Sequence, residues 1–343
     1  MVMMVLTLSL LALMTLCMLF GSVDIDAKSV ADILLGRGSD NTAWEVIVLQ
    51  SRLPMVIVAM LAGAALSVSG LLLQTTFNNP LAGPSILGVS SGAGLGVAVV
   101  MLAMGGTIGG MAGEATSGYV ATLIGALVGS GAVLALLMLF SVALHSSAML
   151  LILGILVSYL TSSVVSLLNS VASEDGVRNY VAWGFGNFSS VSVEQLPLFA
   201  GVTVVALAAA MLMIKPLNAL LLGTRYAENL GINTRLTRNV LLLVTGVLTA
   251  VVTAYCGPIG FVGLVVPHIA RLALNTSDHA RLLPATLFHF LFIYRQKAFF
   301  FCHIVIPFFL PDVPSRFKNA KTFLLQNVHH LTSDIIYMNL PVT

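Results

Sequence analysis

This sequence predicts an all-α polytopic membrane protein, on three observations. Hydrophobic residues fill 58% of its 343 positions and charged residues only 8%, where an average soluble domain carries about 25% charged residues. Charge is also missing from long tracts: no Asp, Glu, Lys or Arg occurs in 53–113 or in 115–173. A membrane-spanning helix needs about 20 mostly apolar residues, so each tract has room for two helices or more. The apolar runs, finally, do not alternate as the strands of a membrane barrel do, in segments of about 10 residues.

Taken in order, spans fall near 2–20, 54–74, 86–104, 119–143, 148–169, 196–214, 239–255 and 257–274. The first has no basic residues ahead of it and no small-residue cleavage site, so it reads as a retained span and not a signal peptide. Two pairs of spans are joined tightly, at His145–Ser147 and at Tyr255–Cys256. Lys and Arg in short loops set the orientation. Lys215, Arg225, Arg235, Arg238, Arg271 and Arg281 fall on one side, which is therefore the inner side. The opposite loop 105–118 has no Lys or Arg, and the loop 170–195 has only Arg178.

The 30 glycines lie almost entirely in or beside spans. Gly105, Gly109 and Gly113, and again Gly125 and Gly129, recur every fourth residue, the spacing that lets membrane helices approach closely. Gly63 and Gly70, and Gly257, Gly260 and Gly263, read as packing positions in the same way. The run Ser91–Gly96 has the look of a phosphate cradle, but no Lys-Ser/Thr follows it, so a nucleotide loop is excluded. Cys17, Cys256 and Cys302 are too scattered for a metal or disulfide framework and read as packing residues.

After Thr286 the composition changes. The last 57 residues have no glycine and hold 10 of the 17 phenylalanines. A ninth helix over 288–306 would carry Arg295 and Lys297 in its middle, at a few kcal/mol each. Two explanations stand: a separate C-terminal tail, or a change of reading frame that replaced the original ending. The second is preferred, because 287–343 patterns neither as a soluble domain nor as a bilayer segment. The organisation is then a transmembrane domain over 1–286 and an atypical tail over 287–343.

No catalytic constellation is present. The chain has no G-x-x-x-x-G-K-[ST], H-E-x-x-H or G-x-S-x-G, which excludes the corresponding nucleotide, zinc and nucleophile sites. His268, next to Pro267, reads as a packing or helix-end residue. A net charge of +2 is too small to indicate a nucleic-acid partner. Ionisable residues are nearly absent from the spans, whereas ion-coupled carriers use them as relays. The polar stretch Gly223–Arg238 is the exception to the apolar text. Gly223 and Gly231 divide it into helical pieces over 224–230 and 233–238, with Thr224 and Asn233 as N-caps. It is either a solvated loop whose arginines set topology or a docking surface for a partner, and composition does not choose.

A set of ordered motifs extends this reading. Arg52-Leu53-Pro54 precedes Leu61-Ala62-Gly63-Ala64-Ala65-Leu66 and Ser69-Gly70. Asn79-Pro80-Leu81-Ala82 and Pro84 precede Leu87-Gly88-Val89-Ser90-Ser91-Gly92-Ala93. Gly223, Ala227, Leu230-Gly231-Ile232 and Arg235 precede the run Gly257-Pro258-Ile259-Gly260-Phe261-Val262-Gly263-Leu264-Val265-Val266-Pro267-His268-Ile269-Ala270-Arg271. Asp278-His279 and Leu282-Leu283-Pro284 close the set. Over about residues 50–286 the chain resembles the FecCD-type permeases of ATP-binding-cassette importers, which move iron-siderophores, haem or vitamin B12.

The resemblance implies the ABC type II importer permease fold with about ten spans per subunit, of which about eight are clear here. It implies a multi-pass protein of the bacterial inner membrane, paired as a homodimer or pseudo-dimer with a pore at the subunit interface. Two cytoplasmic ATPase subunits and an external substrate-binding protein would complete the assembly. The chain itself would be no enzyme and bind no cofactor, ATP and Mg belonging to the ATPase. Segment 220–238 matches the coupling helices, which gives Gly223, Arg225, Glu228, Leu230, Gly231 and Arg235 that role. Arg52 matches an arginine that docks the binding protein; Met55 stands where the family often has a second one. Asn79 and Leu81 match the inner gate, and Ser146 and Ser147 a polar gate at the start of the pore-lining fifth span. The family's last two spans should follow Pro284, and the text there does not supply them. The alternatives are a secondary transporter and an inactive, truncated permease remnant. The sequence does not choose among iron chelates, haem and corrinoids.

Overall fold

A computed structural model describes residues 2–21, 23–39, 41–103, 115–143 and 146–288. Residues 289–343, which hold nearly all of the 288–306 stretch and of the tail, lie outside these residues, as does most of the 105–118 loop.

Among the described residues the elements are helical. They begin with α1 (Val2–Leu19), α2 (Ala27–Leu34) and α3 (Thr42–Val46), and a wide π-type turn, Ile47–Arg52, leads into α4 (Leu53–Thr76). Then come α5 (Val89–Ala98), α6 (Ala115–Ala143), α7 (Ser147–Val171), α8 (Glu174–Gly184), α9 (Leu196–Leu212) and α10 (Ile214–Leu220). The last are α11 (Thr224–Asn229), α12 (Thr234–Cys256), α13 (Val262–Leu274) and α14 (His279–Phe288). Four helical stretches are long and apolar enough to cross a membrane: Thr42–Thr76, Gly118–Ala143, Ala148–Val171 and Thr234–Cys256. The pair α9 and α10, bent by 52°, makes a fifth, and Thr7–Leu19, Val89–Ala103 and Val262–Leu274 are shorter apolar helices. Each expected span thus overlaps an apolar helix, but those near 2–20, 86–104 and 257–274 overlap only the shorter ones.

The core forms around α4, which is buried along nearly its whole length from Pro54 to Thr75. Its Val58, Ala62, Ala65, Val68 and Leu72 pack with Phe199 and Ala210 of α9 and with Leu241, Leu248 and Val252 of α12. Phe199 and Tyr255 meet edge to face, their centroids 5.4 Å apart, a favoured aromatic geometry. A helix so buried needs small residues where a neighbour's backbone approaches. At Gly70 an added Cβ would overlap the carbonyl of Gly263, and at Gly263 one would lie 2.7 Å from the carbonyl of Leu66.

Helices α5 and α6 also approach closely, and glycines account for it. Gly92 faces Gly129 and Gly96 faces Gly125: a Cβ on Gly92 would sit 2.6 Å from the Gly129 carbonyl, and one on Gly125 would sit 2.8 Å from the Gly96 carbonyl. Two small-xxx-small motifs running antiparallel therefore form one seam. The run Ser91–Gly96 is half of this seam.

Three local expectations are corrected. Gly257, Gly260 and Gly263 do not share a packing face. Gly257, at φ 77, reverses the chain after α12 and packs against the end of α8, where a Cβ would lie 2.6 Å from the Trp183 carbonyl; Gly260 has open space around it, and Gly263 packs against α4. The span expected over 257–274 starts at Val262, opposite residues 66–70 of α4, so it covers only the later half of that helix. The loop 170–195 contains α8, capped by Ser173, whose side chain accepts from the Gly176 N–H at 3.2 Å, with Glu174 and Asp175 in its first turn. Acidic residues there complement the helix dipole.

Candidate coupling surface and gate

The stretch from α10 to the start of α12 is built by glycine and capping chemistry. Gly223, at φ 100, starts α11 with no side-chain cap, so Thr224 is not the N-cap. α11 ends in a Schellman-type closure: Ile232 N–H donates to the Ala227 carbonyl at 3.1 Å and Gly231 N–H to that of Glu228 at 2.9 Å. Gly231 takes φ 80 in that closure, a conformation cheap only for glycine. Asn233 then caps α12 as expected, its Oδ1 accepting from Leu236 N–H at 3.0 Å. The second piece does not stop at Arg238. It continues without a break to Cys256, so the end of the polar stretch and the following span are one rigid rod.

Of the residues expected to couple, Arg225, Glu228, Leu230 and Arg235 are exposed on this stretch. Glu228 has an internal partner as well: its Oε1 accepts from the Thr234 hydroxyl at 2.8 Å, fastening α11 to the first turn of α12. Of the apolar residues between these charges, the sequence pointed to Leu230 alone and missed Leu222, Tyr226 and Leu236. Leu222 is 62% exposed, Tyr226 53%, Leu230 58% and Leu236 61%. Beneath them Ala227 is fully buried and anchors α11.

Arg238 differs from its neighbours. It is buried and donates to the Ser141 carbonyl at 2.6 Å, near the end of α6. Ser141 in turn donates to Asn239 Oδ1 at 2.6 Å, so this arginine holds α12 to α6.

The candidate gate residues follow the last turn of α4. Phe77 and Asn79 N–H groups close back on the carbonyls of Leu73 and Gln74, and Asn78 takes φ 46. Asn79 Oδ1 accepts from Leu81 N–H at 2.9 Å, an Asx turn, and Leu81 projects exposed. Phe77, Ala82 and Leu87 of this segment pack with Leu150 and Leu151 of α7. Ser146 is exposed at the N-cap of α7 and Ser147 opens that helix. Asn79, Leu81 and the start of α7 therefore belong to one packed unit, separate from the α11 surface.

Arg52, expected to dock the binding protein, is turned inward in this chain. It is 4% exposed. Its Nη1 donates to the Met18 carbonyl at 2.7 Å and to that of Leu19 at 3.1 Å, and Nη2 donates to Val23. These are orphan acceptors at and just beyond the C-terminus of α1, where a cation is favoured. The wide turn at Ile47–Arg52 delivers the guanidinium there.

A cavity of about 730 Å³, lined by Tyr119, Thr122, Asp175, Asn179, Trp183 and Tyr255 among others, opens beside α8. It takes in the end of α12 opposite to the α11 surface.

An all-helical bundle with spanning apolar helices, a short exposed connector and no strand among the described residues defines a multi-pass membrane protein. The comparisons specify which. The model of the FecCD transport family matches residues 9–294, and the chain belongs to that family of transport permeases. It is 32% identical to the hemin transport system permease protein HmuU of Yersinia pestis over 280 residues, 81% of this chain and 82% of that one. It is 36% identical to the vitamin B12 import system permease protein BtuC of Klebsiella pneumoniae over 244 residues, 71% and 70% of the two chains. Its fold matches a solved inward-facing transporter, assigned to the metal-chelate ABC type, with a TM-score of 0.69 at 28% identity, over 83% of this chain and 85% of that one.

Proposed function

We propose that this chain is the permease subunit of an ATP-binding-cassette importer of the bacterial inner membrane. Its cargo is an iron-siderophore, haem or a corrinoid, delivered by an external substrate-binding protein. Two permease subunits form the pathway between them and expose it alternately to either side. ATP and Mg act on separate cytoplasmic ATPase subunits, and this chain performs no hydrolysis.

The observation that carries the reading is the α11 surface, where Leu222, Tyr226, Leu230 and Leu236 stand exposed among Arg225 and Arg235. A connector that served topology alone would need its arginines but not four large apolar residues in water. Such a patch marks an interaction site, and apolar anchors with an arginine rim match protein–protein interfaces. The rod of α12 supports the same reading, because a push on α11 passes through Glu228 and Thr234 into a spanning helix. The pathway itself needs no high-affinity site when a binding protein supplies affinity and direction.

The test is co-expression with an ATPase and a binding protein of an importer of this type, followed by purification and reconstitution. ATPase subunits should co-purify with the native chain and be lost with Leu236→Asp or Arg235→Glu. Vesicles should take up haemin or cyanocobalamin only with ATP. Uptake driven by a proton gradient without the ATPase would overturn the reading in favour of a secondary transporter.

A further inference from the structure

His279 joins three elements that the chain keeps far apart. It is fully buried at the start of α14. Its Nε2 lies 2.8 Å from Thr75 Oγ1 on the last turn of α4. Its Nδ1 lies 2.8 Å from Asn218 Oδ1 on α10, and its backbone N–H donates to the same oxygen, also at 2.8 Å. Asn218 Nδ2 donates to Asp278 Oδ1 at 2.7 Å, and that oxygen also accepts from Ala280 N–H at 2.9 Å. The donation to Asp278 fixes the Asn218 amide with its oxygen toward the imidazole. Nδ1 therefore carries a proton, and Nε2 is left to accept from Thr75 Oγ1, whose single hydroxyl proton also faces the Leu71 carbonyl at 3.1 Å.

The two ends of this chain of bonds are placed with consequence. Asn218 lies two residues before the end of α10 at Leu220, and α11 starts at Thr224. Thr75 lies four residues before Asn79, in the turn that projects Leu81. Beside it, Gln74 ties the same turn of α4 to α13, donating to the Leu264 carbonyl at 3.3 Å and accepting from Arg271 Nη1 at 2.6 Å. Buried polar groups that lose their partners are penalised, so the linked ends of α4, α10 and α14 move as one.

We infer that His279, with Asn218 and Thr75, is a positioning residue that transmits displacement of the α10–α11 coupling segment to the Asn79–Leu81 gate turn. This rests on the importer reading, because it takes α11 as the input and Leu81 as the output. It adds a route between them that runs through side chains of α10, α14 and α4, independent of the α12 rod.

The experiment places Leu81→Cys in a chain carrying Cys17→Ser and Cys302→Ser, assembled with its ATPase subunits in inside-out vesicles. Labelling of position 81 by a membrane-impermeant maleimide is timed with and without vanadate-trapped ATP. In this parent, nucleotide should change the labelling rate about fivefold or more, the low end of ordinary coupling. With Thr75→Val added, the rate should no longer respond, while ATPase association and hydrolysis persist; Thr75→Ser, which keeps the hydroxyl, should restore the response. Asn218→Ala should behave like Thr75→Val and serves as the second variant if that one fails to assemble. A full nucleotide response in both Thr75→Val and Asn218→Ala overturns the inference and leaves the importer reading standing. Failure of both to assemble overturns it too, since the network would then be structural. No response in the parent removes the importer coupling itself.

Discussion

Arg52 Nη1 donates to the carbonyl of Met18 at 2.7 Å, across 34 positions of sequence. This bond ties the first helix to the head of the most buried one. Room for it comes from Gly21, where a Cβ would be 2.7 Å from Nη2. The charge is thereby used inside the molecule, on carbonyls that have no other helical donor.

Replacing Arg52 should act on stability before it acts on any partner. Arg52→Met removes several charge-assisted bonds and strands buried carbonyls, a loss of about 3 kcal/mol. The melting temperature of the purified chain in detergent should fall by several degrees. Arg52→Lys should recover part of it, since a single ammonium lacks the planar fork. Binding-protein affinity should show the same salt dependence in Arg52→Lys as in the native chain. A strong change in that dependence with native-like melting would return Arg52 to a docking role.

The glycine seam gives a paired prediction. Gly96→Leu forces a side chain into the backbone of Gly125, and overpacking of this kind costs about 1–3 kcal/mol or more. Gly131, on the same α6, has nothing within 4 Å of a Cβ. Gly131→Ala should be neutral or stabilise by about 0.5–1 kcal/mol, as for glycine in a helix interior. Thermal unfolding of the two variants side by side checks it; equal losses would contradict the seam.

The apolar spans were legible in the sequence because burial in lipid demands apolar text of fixed length, and each overlapped an apolar helix. The caps and breaks around α11 were half legible. Asn233 caps as its chemistry suggests, whereas Thr224 yields to Gly223, because the backbone there turns through φ 100. Gly125 and Gly129 were readable as packing positions, but their partners were not, since Gly92 and Gly96 sat in a run that resembled a loop motif. The partners of Arg52 were hidden for a physical reason: its acceptors are main-chain carbonyls, which leave no signature in side-chain identity. The Thr75–His279–Asn218 network was invisible for another, its members standing 204 and 61 positions apart. The exposed Leu222, Tyr226 and Leu236 were passed over because apolar residues are unremarkable in so apolar a chain; only their place outside the spans gives them meaning.

His279 predicts a pH dependence. Burial first, then the nearby Arg271 charge, lower its pKa from 6.5 to about 4, and Asp278 opposes them. The folded state holds a neutral ring where the unfolded chain would bind a proton. Stability is therefore full above about pH 6.5 and declines as pH falls toward 4, by up to about 3 kcal/mol from this group. Melting temperature followed from pH 7.5 to 4.5 should fall more steeply for the native chain than for His279→Gln, which has no proton to gain. Parallel curves would show that His279 titrates normally.

The closure of α11 offers the sharpest separation of coupling from folding. Gly231 sits at φ 80 with its N–H bonded to Glu228, and Glu228 Oε1 accepts from Thr234. Gly231→Ala places a Cβ in the left-handed region at about 1–2 kcal/mol. No atom lies within 4 Å of that Cβ, so the cost is strain in the turn and not a clash with the bundle. The turn relieves it by reorienting α11 on the end of α12. Glu228→Gln keeps the turn and weakens only the fastening to Thr234. Both chains should melt within a few degrees of the native one, because α11 buries little beyond Ala227. Gly231→Ala should nonetheless lower substrate-stimulated ATP hydrolysis about fivefold or more, the size of a lost coupling of 1 kcal/mol, and Glu228→Gln should lower it less. Native stimulation in Gly231→Ala would show that the orientation of α11 does not matter to the partner.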